Sequence, residues 1–175
     1  MGLILLLLLV LAAVCWSTVD EIKYNSRRES AMDKANSFAT DLADAFNWPA
    51  DMPNIDATEI ERNPEKYLPY LDKGVAKVRP YIYNNKQIEK EIEAVGLEFI
   101  RTFLVIGEKP TNVTFKPNIT KLIVRKETAV AKCTIATKSN ISKGKTKDKP
   151  IVCEIDMEYV NNEWVVVNFF PLEEI

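Results

Sequence analysis

The apolar positions follow three successive patterns along the chain. Leu3 to Cys15 is one unbroken apolar run, and the first charged side chain is Asp20. Two stretches further on carry apolar side chains at the three- and four-residue spacing of a helix. Beyond Gly107 apolar and polar residues alternate, which is the period of a strand with one buried face. This order predicts a leading apolar segment, then helices, then a sheet.

Two long helices are predicted from the spacing. The first runs from Ser30 to Asn47, and Trp48-Pro49 ends it because the residue before a proline disfavours the helical conformation. The second runs from Lys86 to Ile106, and Gly107 stands where a helix-ending glycine belongs. Prolines divide the chain between them, so we expect only short helical pieces there, at residues 58–62, 64–68 and 71–78.

Four or five strands are predicted after the helices. They cover Asn112–Lys116, Ile119–Lys126, Thr128–Thr137, Pro150–Val160 and Trp164–Phe170. Helices followed by a run of strands indicate the α+β class, with the helices segregated to one face of an antiparallel sheet. We therefore expect N-terminal helices packed on a curled, four- to five-stranded antiparallel sheet.

One register of the central hairpin satisfies three patterns at once. If Cys133 lies opposite Cys153, apolar residues meet on one side of the hairpin, and on the other side Lys132 meets Glu154. A shift of one residue would turn the apolar side to solvent. The apolar pairs expected in this register are Ile135 with Ile151, Ala131 with Ile155, and Ala129 with Met157.

The last hairpin is predicted to turn at Asn161-Asn162, because asparagine tolerates the left-handed conformation that a two-residue turn requires. Tyr159 then faces Trp164, and Asn168 falls on the same apolar side. These three residues are candidates for lining a pocket.

The last strand is apolar on its second side as well, at Val165, Val167 and Phe169. A strand that is apolar on both sides is usually covered on both sides. Either a second copy of the protein or another part of the same chain would cover this side. We expect a homodimer through the last strand or an intramolecular cover in its place.

The apolar run at the start is typical of a secretory signal peptide. It is shorter than the roughly 20 residues that a spanning helix needs. A cut after Ser17 or after Cys15 would follow small residues, so residues 1–17 are expected to be removed and residues 18–175 to form a single domain. We expect a secreted protein without stable membrane insertion after cleavage, and an uncleaved anchor or a lipid on Cys15 are the alternatives.

Export would expose the chain to disulfide formation and to N-glycosylation. Of Cys15, Cys133 and Cys153, cleavage leaves the last two, which are expected to form one disulfide in an oxidising compartment. Acceptor triplets for N-glycosylation begin at Asn112, Asn118 and Asn140.

The composition argues against several kinds of chemistry. The chain has no histidine, and its net charge is −2 with both signs interspersed, so we expect no metal, no cofactor and no nucleic-acid partner. Asp41, Asp44 and Asp56 are the candidates for an acid or base in a pocket. A solvated helix face is the preferred explanation for Asp41 and Asp44, and a turn or cap is the preferred explanation for Asp56.

The helices, the antiparallel meander and its last hairpin, Asn161-Asn162-Glu163-Trp164-Val165-Val166-Val167, resemble the nuclear transport factor 2-like superfamily. The resemblance implies a cone-shaped sheet around the helices, often with an apolar pocket in the cone and often a dimer through the open sheet. Because the superfamily includes isomerases, dehydratases and non-enzymatic binding domains, it leaves the function open.

The stretch from Lys86 to Phe170 also resembles cystatins, secreted protease inhibitors with one helix on a four-stranded sheet. The inhibitory Gln-x-Val-x-Gly loop is missing, and Ile123-Val124-Arg125-Lys126 stands in its place. The function expected is therefore a secreted, non-enzymatic domain that binds a small apolar ligand or serves as an interaction module. An Asp-based isomerase or dehydratase and a cystatin-like inhibitor are the alternatives.

Overall fold

Helices pack on one face of a four-stranded antiparallel sheet in this protein, which confirms the predicted α+β class. The structure is a computed structural model, and it describes residues 2–47, 57–83, 85–105, 113–139 and 150–172. The helices are α1 (Gly2–Ala45), α2 (Ala57–Arg62), α3 (Leu68–Val78) and α4 (Lys86–Val105), with single 3-10 turns at Pro64–Lys66 and Arg79–Tyr81. The strands are β1 (Val113–Arg125), β2 (Thr128–Ser139), β3 (Ile151–Val160) and β4 (Glu163–Pro171).

The first helix begins far earlier than the spacing predicts. A start at Ser30 is wrong, since α1 is continuous from Gly2 to Ala45. The apolar face that contacts the rest of the domain does begin near Ser30, with Ala31 and Ala35 fully buried. The periodic pattern therefore marks where the helix acquires tertiary contacts, whereas the backbone stays helical on both sides of that point.

The short helices and α4 lie close to their predicted positions, but the first two predicted strands are one strand. β1 runs without a break through Pro117, and its pairing with β2 shifts only between Ile119 and Lys121. Proline is tolerated there because β1 is the edge strand of the order β1-β2-β3-β4. The sheet is a simple meander in which each strand pairs with the next along the chain.

The predicted register of the central hairpin is confirmed. Cys133 lies opposite Cys153, and Lys132 lies opposite Glu154. All three apolar pairs, Ile135 with Ile151, Ala131 with Ile155, and Ala129 with Met157, are present as expected. Asn161 and Asn162 both have positive φ, at 51° and 69°, as the predicted turn requires.

The strict alternation predicted along β4 is wrong after Val166. Met157 pairs with Val166 but Asp156 pairs with Asn168, so one extra residue is inserted in β4. Phe169 consequently turns into the core, where it is 1% exposed. Asn168 faces the opposite side from the one predicted, and Phe170, which lies opposite Glu154 and is 42% exposed, joins the half-buried Val165 and Val167 on the outer face.

The chain itself flanks the open edge of β4. Ile82 forms a parallel bridge with Val166, and the Tyr83 amide donates to the Val166 carbonyl at 3.2 Å. The Asn85 side-chain amide donates to the Val167 carbonyl at 3.4 Å. An intramolecular segment therefore occupies part of the edge, while a dimer through the last strand stays a prediction.

The core lies between α1, α4 and the inner face of the sheet, and α3 packs on both helices. Phe38 fills its centre, with its ring 6.0 Å from that of Tyr81 and 6.3 Å from that of Phe169 between centroids. Phe46 packs edge-on against Phe115 at 5.9 Å. In the part of the chain whose side chains are described, no helix has the length and apolar character needed to cross a membrane.

Candidate functional site

A groove opens where α1 passes the tip of the hairpin between β1 and β2. Its volume is about 500 Å³. Four of its lining residues come from α1, at positions 20, 23, 24 and 27, which lie on one face of a helix. The lining residues are Asp20, Lys23, Tyr24, Arg27, Val124 and Lys126.

The groove carries a local positive charge on a protein whose net charge is −2. Lys23, Arg27 and Lys126 contribute three positive charges, and Asp20 contributes the one negative charge. Lys23 and Lys126 are exposed, so their ammonium groups are free to reach a ligand. The arrangement favours an anion over a cation or a neutral polar molecule.

Part of the groove wall is apolar. Val124 is 8% exposed at its floor, and the half-exposed ring of Tyr24 stands at its side. The aliphatic stems of the two lysines extend this apolar surface beneath their charged ends. The groove therefore combines cations at the rim with carbon atoms lower down.

The Arg27 side chain contacts both Lys126 at the hairpin tip and the ring of Tyr159. Its Nη1 donates to the carbonyl oxygen of Lys126 at 3.1 Å, which ties α1 to the hairpin tip. Lys126 lies in the turn between β1 and β2 and has a positive φ of 39°. The guanidinium also lies 4.7 Å from the ring centroid of Tyr159, within the range of a cation–π contact.

Tyr159 and Trp164, which were predicted to line a pocket, lie behind Arg27. Their rings meet edge-on at 5.1 Å between centroids. The Trp164 indole nitrogen donates to the Arg27 carbonyl and to the Ser30 hydroxyl, each at 3.1 Å. These two side chains contribute to the site by holding Arg27 and α1, since the lining itself comes from other residues.

Asn168, the third predicted pocket residue, lies away from the groove. The extra residue in β4 places it opposite Asp156, and its side-chain oxygen accepts a hydrogen bond from the Phe169 amide at 3.1 Å. Burial, with the neighbouring Glu154 charge, raises the pKa of Asp156 above its usual range. Asn168 thus belongs to the outer face of the sheet.

The candidate acid–base residues have ordinary structural partners. Asp41 accepts a hydrogen bond from the Tyr81 hydroxyl at 2.6 Å, and this bond raises the pKa of Tyr81 to about 12. Asp44 is at the surface, 3.6 Å from the ammonium of Lys77. Asp56 lies outside the described residues. Neither described carboxylate has the isolated, apolar surroundings that would suit it to proton abstraction.

Cys133 and Cys153 face each other across β2 and β3, and both are fully buried. They are thiols in this structure, and the Cys153 sulfur lies 3.6 Å from the Cys133 carbonyl oxygen. The hydrogen bond with Cys133, together with burial, raises the pKa of the Cys153 thiol. A reactive thiolate is disfavoured at that position, and the predicted disulfide stays a prediction.

Among the three glycosylation candidates, Asn118 is described and exposed, on β1. Asn112 and Asn140 lie outside the described residues.

Sequence reasoning missed the groove because its residues come from two distant parts of the chain. Two sequence features pointed to it: Lys23 and Arg27 are four residues apart, and Lys126 is the last residue of a predicted strand, next to the turn that follows. What the sequence concealed is that α1 begins before Ser30, so that these residues form one helical face beside the turn.

The sequence matches none of the protein-family models and none of the curated proteins compared with it. Two solved structures align with most of its length at low similarity. One is a domain of unknown function with a cystatin-like fold from Nostoc punctiforme, with 9% identity, a TM-score of 0.40, and coverage of 71% of this chain and 80% of that chain. The other is a phospholipid-binding protein from Ralstonia solanacearum, solved with a phospholipid, with 11% identity, a TM-score of 0.33, and coverage of 83% and 77%. The finer resemblance to the nuclear transport factor 2-like superfamily is not confirmed.

Proposed function

We propose that this protein is an exported, non-enzymatic domain that binds a small anionic amphiphile in the groove between α1 and the β1–β2 hairpin. The observation that carries the proposal is the groove itself, in which Lys23, Arg27 and Lys126 surround a partly apolar wall. Compared with the small apolar ligand expected from the sequence, the proposed ligand adds an acidic head group.

The two halves of such a ligand match the two parts of the groove. An acidic head group would accept charge-assisted hydrogen bonds from the lysine and arginine side chains, and these bonds are stronger than neutral ones. A short hydrocarbon tail would lie against Val124 and Tyr24, where burial contributes about 25 cal/mol per Å² of apolar surface. The inner face of the sheet is occupied by Phe38 and its neighbours, so the groove offers the better site.

Export fits the position of the groove on the helix. A cut after Ser17 would remove the apolar run and leave the whole lining intact, because the first lining residue is Asp20. The mature chain would then begin two residues before the first lining residue of the groove. We propose that the mature protein begins at Thr18 and is secreted, and N-terminal sequencing of protein from the medium tests this.

In the exported protein we propose a disulfide between Cys133 and Cys153. The two residues are paired across β2 and β3, and an oxidising compartment favours the bond. Peptide mapping of secreted protein without reductant should yield the two cysteines in one linked fragment. Recovery of both as free thiols would contradict this part of the proposal.

Ligand binding is tested by titrating the protein with octyl phosphate below its aggregation concentration. Wild-type protein should bind octyl phosphate, and should bind inorganic phosphate and the uncharged octyl glucoside more weakly. Lys23→Gln with Lys126→Gln should weaken octyl phosphate binding roughly tenfold or more, since a hydrogen bond to a charged group contributes about 1.5–3 kcal/mol. The matched control is Lys86→Gln with Lys90→Gln, because both lysines are exposed on α4 and neither lines the groove.

Two results would reject the proposed ligand class. One is equal affinity of octyl phosphate for the wild type and for the groove double variant. The other is binding of octyl glucoside as tight as that of octyl phosphate, because the cations would then contribute nothing. Rising salt should weaken binding in the wild type, as expected for contacts between partly exposed charges.

A further inference from the structure

The two edge strands of the sheet, β1 and β4, differ in what lies beside them. Along β4, Ile82, Tyr83 and Asn85 of the same chain lie against the strand and occupy some of its hydrogen-bonding groups. β1 is the other edge, and among the described residues no strand pairs with its outer side. It has 13 residues, which makes it the longest strand of the four.

A long open edge strand is a template for pairing with another chain, and proteins usually blunt such an edge. β1 carries some of the usual devices. Pro117 lacks an amide donor, Lys116 and Lys121 place charge on the strand, and the pairing with β2 is irregular between Ile119 and Lys121. These devices cluster around the middle of β1.

Asn118 stands in the same place. It begins the acceptor triplet Asn118-Ile119-Thr120, and it lies in the middle of β1 with its side chain exposed. The neighbouring Phe115 is buried against the core, whereas Lys116 and Asn118 are exposed on the other face. A group attached to Asn118 would therefore project from the edge strand without disturbing the core.

We propose that Asn118 carries an N-linked glycan and that this glycan shields the open edge of β1 from pairing with other chains. The inference rests on the proposed export, because the modification takes place in the secretory route. A bulky, solvated group in the middle of the strand would hinder a second strand along much of its length. It would act together with Pro117 and the two lysines.

The chemistry of the step is a group transfer to the amide. The Nδ2 atom of Asn118 loses one proton and forms a bond to the anomeric carbon of the first sugar. The bond between that carbon and the phosphate of a lipid-diphosphate-linked oligosaccharide breaks, and the lipid diphosphate leaves. No oxidant or reductant takes part.

The test expresses the full chain in a eukaryotic secretory host and maps the modified sites in protein from the medium. Removing the glycans with an amidase in isotopically labelled water should leave labelled Asp at position 118. Asn118→Gln and Thr120→Ala should both abolish that site, while Thr120→Ser should retain it because serine completes the triplet. The Thr120 pair also controls for the hydrogen bond from its hydroxyl to the Lys132 carbonyl, at 3.2 Å.

A second version of the protein, in which an established signal peptide replaces residues 1–17, is expressed alongside the first. It allows the glycan to be tested even if the native leader does not direct secretion. If only the replaced form is secreted, the native leader fails while the glycan is still tested. Exported protein without sugar on Asn118 overturns the inference in either form. Binding of octyl phosphate is measured independently, so its loss would leave this result standing.

The shielding role has its own measurement. Asn118→Gln protein and enzymatically deglycosylated protein should both form larger species on concentration, as followed by light scattering, while the glycosylated protein stays monodisperse. Identical size distributions for all three would overturn the shielding role.

Discussion

The two ends of α1 share one continuous helical backbone, but one end is buried in the core and the other is exposed. From Ala31 to Ala45 one face of the helix fills the core, and Phe38 and Leu42 are fully buried. From Trp16 to Ser26 every residue is exposed, including Trp16 at 73% and Ile22 at 67%. The helix therefore extends well beyond the part of it that is buried. The exposed end has no role in the core, and it forms one side of the groove.

The largest difference between the two ends should appear on deleting a side chain. Phe38→Ala should cost about 3–5 kcal/mol, because it leaves a cavity where the Tyr81 and Phe169 rings meet. Ile22→Ala on the exposed end should change stability by no more than about 0.5 kcal/mol. Urea unfolding of both variants measures the two values. Equal losses would show that the exposed end packs against something in solution.

The buried end of α1 also depends on a close approach to α3. At Gly74 an added Cβ would lie 2.5 Å from the Ala45 carbonyl oxygen and 2.8 Å from the Ala45 Cα. Gly74→Ala should therefore destabilise the protein by about 1–3 kcal/mol, even though alanine favours helices. Gly96→Ala is the control, because its new Cβ would meet the flexible end of Leu71 at 2.6 Å. Thermal unfolding should show a clearly smaller change for the control.

The boundary between the two ends is fixed by Trp164. Trp164→Phe removes the indole donor to the Arg27 carbonyl and to the Ser30 hydroxyl, and should cost about 1–2 kcal/mol. Ser30→Ala keeps the Arg27 contact and should cost less. Hydrogen exchange should quicken around residues 27–31 in Trp164→Phe, and octyl phosphate should bind more weakly. Unchanged exchange there would mean that the helix is held by other contacts.

The smallest effect concerns a polar contact of the buried end, between Tyr81 and Asp41. The hydrogen bond raises the pKa of Tyr81 to about 12, above the ordinary value of about 10. The stabilisation is therefore fully present below about pH 10 and is lost as pH rises through about 12. Tyr81→Phe should cost about 1 kcal/mol at neutral pH.

The stability difference between wild type and Tyr81→Phe isolates this bond from the titration of other groups. Urea unfolding from neutral pH to pH 11 should show the difference shrinking at the alkaline end. A difference that grows with pH would contradict the direction of the pKa shift.

Much of the architecture followed from local patterns in the sequence. The register of β2 against β3 was predictable because the apolar side, the cysteine pair and the charge pair all depend on the same alignment. The extra residue in β4 was not predictable. The sequence of Val166, Val167 and Phe169 is as compatible with strict alternation of inner and outer positions as it is with a bulge. The bulged arrangement places Phe169 in the core against Phe38, and this contact joins residues that are far apart in the sequence.

By itself, the sequence determined the order of helices and strands, the position of α4 and the pairing of the central hairpin, because these depend on neighbouring residues and on a period of two or about 3.6. The tertiary structure alone decided where the exposed end of α1 would lie, which is beside the turn between β1 and β2. It also brought Lys23 and Arg27 against Lys126, about one hundred residues away along the chain. The physical reason is that a groove depends on the relative placement of two elements, and that placement is decided by how their distant side chains pack.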